Sequence, residues 1–292
     1  MNSMSEHSVQ TAGFGESKKI DFVFLDSGTG GIPYMLALKQ KNPAARCVYV
    51  GDTAHFPYGE KTPDAVTECA SFVIKLIVER WRPGAVVIAC NTISVTALDS
   101  LREQFPLLPI VGTVPAIKLA ASVTRNKRIG LLATNATVRH PYCQRLIADF
   151  ANDCTVFSRG DPDLVWFVEH DLFSASQEER QKAVRPAVSF FSERDCDTII
   201  LGCTHFTHIS GDITKAAGNA VKVVDSRDGV ANQALRVEQG EFAGDKMPMF
   251  PLPPDMSFFV TACTNVQQQE YMMLCEHLHI PFGGLMPVGN SC

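Results

Sequence analysis

No stretch of this 292-residue sequence is both long and apolar. The best run extends only from Gly84 to Cys90, against the roughly 20 residues a helix needs to cross a bilayer, so no membrane partner is expected. Positive charge is also scarce: Lys plus Arg number 26 against 31 Asp plus Glu, a net charge of −5. A nucleic-acid-binding protein carries a basic excess gathered on one face, and a DNA or RNA partner is therefore disfavoured. The ten cysteines (47, 69, 90, 143, 154, 196, 203, 263, 275 and 292) contain no Cys-x-x-Cys pair, unlike a disulfide scaffold or a zinc ribbon. Reduced thiols in a cytosol are the expectation. Residues 1–19 lack the apolar core of a secretory signal and read as a flexible tail. Hydrophobic residues at 46% and charged residues at 20% lie near the soluble-globular averages of about 45–50% and about 25%, which excludes wholesale disorder. At roughly 100–200 residues per domain, the length suggests two domains.

Short apolar, β-branched runs do recur, at 20–25, 47–50, 85–89, 108–111, 129–133, 198–201 and 221–224. Amphipathic segments separate them, as in Asp64 to Arg80, where Val66, Ala70, Val73 and Ile77 form one apolar face. Strands alternating with helices describe βαβ units and parallel sheets. The two halves also repeat. Phe24-Leu25-Asp26-Ser27 matches Leu131-Leu132-Ala133-Thr134 at an offset of 107, Gly51-Asp52 matches Gly160-Asp161 at 109, and Ala89-Cys90 matches Gly202-Cys203 at 113. The spacing predicts a duplicated α/β unit. Loops at the carboxyl ends of parallel strands line ligand crevices, so the two cysteines are expected to face each other across a cleft.

Cys90-Asn91-Thr92 closes one strand and opens a helix, a position where the helix dipole favours thiolate; the plain alternative is a buried structural cysteine. Cys203-Thr204-His205 repeats the arrangement with an imidazole added, able to relay protons or hold a carboxylate, unless it is a cap or core histidine. Asp26-Ser27-Gly28-Thr29-Gly30-Gly31 reads as a loop whose glycines permit positive φ and let amides point at an anion. It fails as a dinucleotide fingerprint, because the third glycine falls on Pro33. Asp26 reads as an acid beside Cys90, as the partner of a substrate ammonium, or as a helix cap. The loop from Gly51 to Glu60 can offer backbone amides and the Tyr58 hydroxyl to a ligand carboxylate, or be an ordinary turn. Glu169 ends an apolar stretch, a pattern usually met in solvent-facing residues. Cys275-Glu276-His277-Leu278-His279 has a metal-site composition without a second ligand pair and reads as surface.

Together the motifs DSGTGG, VGDTAHFPYG, VIACNTISVTAL, PIVGTVPA, LLATNATV and IILGCTHF resemble the glutamate racemase branch of the aspartate/glutamate racemase superfamily, over Ile20 to about Gly284. The resemblance implies two pseudo-symmetric α/β domains with mainly parallel central sheets, 20–113 plus 228–292 and 114–227, and an active site in the cleft between them. It implies a cytoplasmic, homodimeric isomerase that needs no cofactor or metal and interconverts L- and D-glutamate for peptidoglycan synthesis and cell shape. By the same resemblance Cys90 and Cys203 are the catalytic thiols, assisted by Asp26, Glu169 and His205. Asp26, Ser27, Tyr58, Gly59, Asn91, Thr92, Thr204 and His205 are implied to contact substrate. Two departures from the family pattern lie beside the chemistry: Thr207-His208 follows Phe206, and Val114-Pro115 replaces a stretch containing Glu. A racemase for aspartate or another amino acid, a hydantoin-type racemase, and a non-catalytic protein that restrains a topoisomerase are the alternatives. The acidic charge and the intact pair of thiols count against the last.

Overall fold

Apolar runs without polar alternation suit strands covered by helices on both faces, as parallel sheets require. Such runs form β1 (Phe22–Asp26), β2 (Cys47–Gly51) and β3 (Ala85–Ile88), buried at every position, and β4 (Ile110–Gly112). The computed structural model describes residues 19–237 and 251–288; the expected N-terminal tail, save Lys19, and Cys292 lie outside them. Further strands are β5 (Arg128–Ala133), β6 (Thr155–Gly160), β7 (Thr198–Leu201), β8 (Lys222–Val224), β9 (Ser257–Val260) and β10 (Phe282–Leu285). The helices are α1 (Ile32–Lys41), α2 (Pro63–Trp81), α3 (Asn91–Gln104), α4 (Ile117–Val123), α5 (Asn135–Arg139), α6 (Pro141–Phe150), α7 (Pro162–His170), α8 (Gln177–Ser192), α9 (Ser210–Ala217), α10 (Arg227–Val237) and α11 (Asn265–Leu278).

Two sheets result, with strand orders β10-β9-β2-β1-β3-β4 and β6-β5-β7-β8, and the strand pairings in both are parallel. The order β2-β1-β3-β4 of the first half is repeated as β6-β5-β7-β8 in the second, which is the pseudo-symmetric architecture expected. The register agrees in detail: Asp26 pairs with Gly51, and Ala133 with Gly160. The runs read as strands are all found. The strands β6, β9 and β10 are additions to the expected set.

Alternation of side chains along each strand separates the two cores of the larger sheet. Val23, Leu25, Val48, Val50, Val86 and Ile88 pack against α2 and α3. Phe22, Phe24, Tyr49, Ala85 and Val87 pack on the other face against α1, α10 and α11. The smaller sheet divides likewise, with Leu132, Ile199 and Leu201 facing α7 to α9 and Ile129, Leu131 and Ile200 facing α4 and α6. Cys275, read as surface, belongs to the core beneath α11, because it shares the buried side of that helix with Tyr271 and Leu274. In each half the chain leaves the central strand in one direction and returns on its other side. That reversal opens a crevice beyond the carboxyl ends of the strands, between β1 and β3 in one half and between β5 and β7 in the other.

Candidate active site

The two crevices face each other and enclose one cavity of about 260 Å³. Its first wall carries Ser27 after β1, Tyr58 and Gly59 from the loop after β2, and Cys90, Asn91 and Thr92 after β3. The second wall carries Thr134 and Asn135 after β5, and Cys203, Thr204 and His205 after β7. Both sulfurs therefore line one space from opposite halves. Phe56, Pro57 and Glu60, from the loop already singled out in the sequence, and Pro162, Asp163, Val165 and Trp166, which the sequence reading does not single out, complete the lining. A signal for Pro162 and Asp163 existed: they follow Gly160-Asp161, whose counterpart Gly51-Asp52 opens the loop to Tyr58.

Cys90 precedes the first turn of α3 and is 5% exposed. The helix dipole by itself favours a lowered pKa. Burial instead pushes the thiol well up, with the nearby charge of Asp26 acting in the same direction, while the Ile93 amide in the first turn pulls down and is outweighed. The reason is that a thiolate here would exchange water for a carboxylate neighbour. Asp26 is itself fully buried, and burial raises its pKa despite the opposing charge of His205. Its Oδ1 accepts from the Ser27 amide at 2.7 Å and its Oδ2 from the Thr204 hydroxyl at 3.1 Å. The cap reading of Asp26 fails, since Gly31 occupies the cap position of α1.

Cys203 Sγ lies 3.8 Å from His205 Nδ1, and His205 Nε2 lies 2.9 Å from Glu169 Oε2. Burial alone would lower the pKa of His205, but the bonds to Cys203 and Glu169 and their charges raise it well above the usual imidazole value. Glu169 shows the complementary balance. Burial raises its pKa, but His205 and the amide and hydroxyl of Thr29 outweigh that and hold the carboxyl below 4.5. The second wall thus carries an imidazolium between a buried carboxylate and a sulfur. Neither Asp26 nor Glu169 lines the cavity; each stands one layer behind, Asp26 by Cys90 and Glu169 by His205. Direct substrate contact by Asp26 is accordingly not what the geometry shows, and Glu169 is not solvent-facing.

Two further expectations change. The Tyr58 hydroxyl does not face the cavity but donates to Asp52 Oδ2, a buried carboxylate that also accepts from Thr261 Oγ1 at 2.7 Å. Tyr58 therefore offers the cavity its ring and backbone. The glycine loop does hold an anion, but that anion is Glu169: the Thr29 amide donates to Glu169 Oε2 at 2.8 Å. A Cβ on Gly28 would come within 2.6 Å of Glu169 Oε2, and one on Gly30 would overlap the His205 ring. These glycines supply space for the opposite half; positive φ is not involved, being confined among described glycines to Gly218 and Gly284.

The Asn91 side-chain N and O are buried without a partner on the cavity wall. Buried amides of this kind cost about 1–3 kcal/mol per unmet group, which a bound polar ligand recovers. Among the described residues, no Lys or Arg lines the cavity. Among the described residues, no group of three His, Cys, Asp or Glu side chains is placed to hold a metal ion.

Comparison with known proteins points to one family. The pattern of the Asp/Glu/Hydantoin racemase family matches residues 35–234. A glutamate racemase from Treponema pallidum is 35% identical over 272 residues, 93% of this chain and 98% of that protein. One from Glaesserella parasuis is 40% identical over 223 residues, 76% of this chain and 82% of its own length. The crystal structure of Escherichia coli glutamate racemase, in complex with L-glutamate and the activator UDP-MurNAc-Ala, superposes with a TM-score of 0.76 at 30% identity. The match covers 91% of this chain and 97% of that one.

Proposed function

The chain belongs to the Asp/Glu/Hydantoin racemase family, and from that premise we propose that it is a glutamate racemase working by proton transfer between two thiols. The observation that carries this reading is that Cys90 and Cys203, from equivalent points of the two halves, line the same cavity. The α-proton of an amino acid is weakly acidic. Inversion needs a base on one face, an acid on the other, and donors for the charge that spreads into the carboxylate.

In this reading Cys203, countered by the His205 imidazolium, takes the α-proton of L-glutamate. Cys90, whose thiol is kept protonated by burial and by Asp26, delivers a proton to the opposite face. D-glutamate leaves a thiolate at Cys90, and the reverse reaction starts there. Asn91, Thr92 and the amides of Tyr58, Gly59 and Thr204 hold the substrate carboxylates as neutral donors, while the Ser27 amide and the Thr204 hydroxyl stay on Asp26. The halves are 20–113 with 228–292 and 114–227, and in a bacterial cytosol the homodimeric enzyme supplies D-glutamate for peptidoglycan.

Circular dichroism of L- and D-amino acids incubated with the purified protein tests the activity and its specificity. We expect loss of signal from both glutamate enantiomers, retained after exhaustive dialysis with chelator, and abolished by Cys90→Ala or Cys203→Ala. Faster racemisation of aspartate, or a Cys203→Ala enzyme at near wild-type rate, would overturn the reading.

A further inference from the structure

The three polar groups of Thr29 are all engaged by the opposite half. Its amide and its hydroxyl donate to Glu169 Oε2 at 2.8 and 2.7 Å, and its carbonyl accepts from His208 Nε2 at 3.0 Å. Glu169 Oε2 in turn holds His205, which reaches Cys203. The other carboxylate oxygen, Oε1, is buried with no partner. The orientation of this carboxylate is therefore set through Oε2 alone, where Thr29 supplies two of the three donors. An exchange in the other direction accompanies it: Thr204, from the second half, donates to Asp26 of the first.

We propose that Thr29 is a positioning residue for the Cys203 side, and His208 its anchor, so that the Glu169–His205 pair is aligned only while the two halves are together. The inference rests on the two-thiol reading above. It gives a role to His208, the departure from the family pattern that this reading leaves unused. Burial lowers the pKa of His208 to about 4, so at neutral pH it is an uncharged ring whose Nε2–H is available to the Thr29 carbonyl. The edge-on ring of Phe173, 5.7 Å from that of His208, helps fix its plane. Gly28 and Gly30 flank Thr29 and leave the room this approach requires. Bonds to a charged carboxylate are stronger than neutral ones, and Thr29 provides a pair of them across the cleft.

The test uses the full-length enzyme with Thr29→Val, Thr29→Ser and His208→Phe, alongside Cys203→Ala. Rates and substrate α-deuterium isotope effects are measured from both L- and D-glutamate, with melting temperatures as a check on folding. Loss of one bond to a charged group predicts a fall in kcat/KM of about tenfold or more for Thr29→Val, equal in both directions because the overall equilibrium is unity. The isotope effect from L-glutamate should rise and that from D-glutamate fall, since only proton transfer at Cys203 is slowed. Thr29→Ser should restore most of the rate, and His208→Phe should shift the isotope effects in the same sense by less. If Thr29→Val does not fold, His208→Phe decides by the same criterion. Isotope effects that stay at wild-type values, or move together, in a folded variant would overturn the role of Thr29. A Cys203→Ala enzyme that still racemises would instead overturn the two-thiol reading, and the positioning role with it.

Discussion

At the scale of single residues, close approach matters more than side-chain type. Gly30 has an ordinary backbone angle, and what it provides is the absence of a Cβ where the His205 ring lies. We predict that Gly30→Ala lowers kcat/KM at least 100-fold, by displacing the imidazole, while costing about 1–3 kcal/mol of stability as overpacking does. Racemase assays combined with urea unfolding check both numbers. Glu169 makes a prediction in pH. Its folded pKa is depressed below 4.5, so its stabilising contribution is complete above that value and drains away as the pH falls through the folded pKa. The gap in melting temperature between wild type and Glu169→Gln should therefore shrink from about pH 6 to about pH 3; a gap that stays constant would contradict the assignment. Much of this site was legible in the sequence. Cys90, Cys203 and His205 announce themselves by standing at strand ends beside polar escorts. The sequence could not show which atoms face inward: the Tyr58 hydroxyl is drawn off by Asp52, and Thr29 points at a carboxylate 140 residues away.

At the scale of elements, the helices are legible because burial imposes their period. Along α2, capped by Thr62 and begun by Pro63, the residues Val66, Cys69, Ala70, Val73, Ile74, Ile77 and Trp81 are buried. Ile77→Ala should cost about 2–5 kcal/mol, whereas Lys75→Ala, on the exposed side of the same helix, should stay within about 0.5 kcal/mol. Urea midpoints of the two variants measure the difference. The strands missed are those whose surroundings dilute the apolar signal. β6 (TVFSRG) and β10 (FGGL) lie at sheet edges, where one side is unpaired and polar or glycine residues are tolerated. β9 is four residues long, SFFV, and follows a proline-rich stretch, so its apolar signal is short and isolated. The position of Cys90 shows the opposite failure. Its helix-terminal setting is visible in the sequence, but its electrostatics follow from burial and from Asp26, a neighbour on a different strand.

At the scale of the whole molecule, the repeat offsets already contained the plan of two like halves, although not the bonds between them. Among those bonds are Asp26 to Thr204, Thr29 to Glu169 and to His208, Tyr34 to Ser226, and Thr92 to Thr134 at 3.0 Å. The two tryptophans report on different parts of this assembly. Trp81 is 1% exposed in the core of the first half, whereas Trp166 is 55% exposed at the cavity with its ring tilted against Phe56 of the opposite half, 6.3 Å between centroids. Glutamate should change the emission of the wild type and of Trp81→Phe alike, and leave Trp166→Phe nearly silent; a response carried by Trp81 would place the ligand elsewhere. The repeated strand order has a consequence for the chemistry itself. Enantiomers are related by reflection, and a chain of L-residues contains no mirror plane; the nearest substitute it can build is a rotation that swaps one half for the other. That substitute is imperfect here, because Cys90 is backed by a lone carboxylate and Cys203 by an imidazole and a carboxylate. Bound L- and D-glutamate accordingly differ in energy on this enzyme, even though they are equal in solution, and at saturation the two hands of the substrate should occupy the cavity unequally.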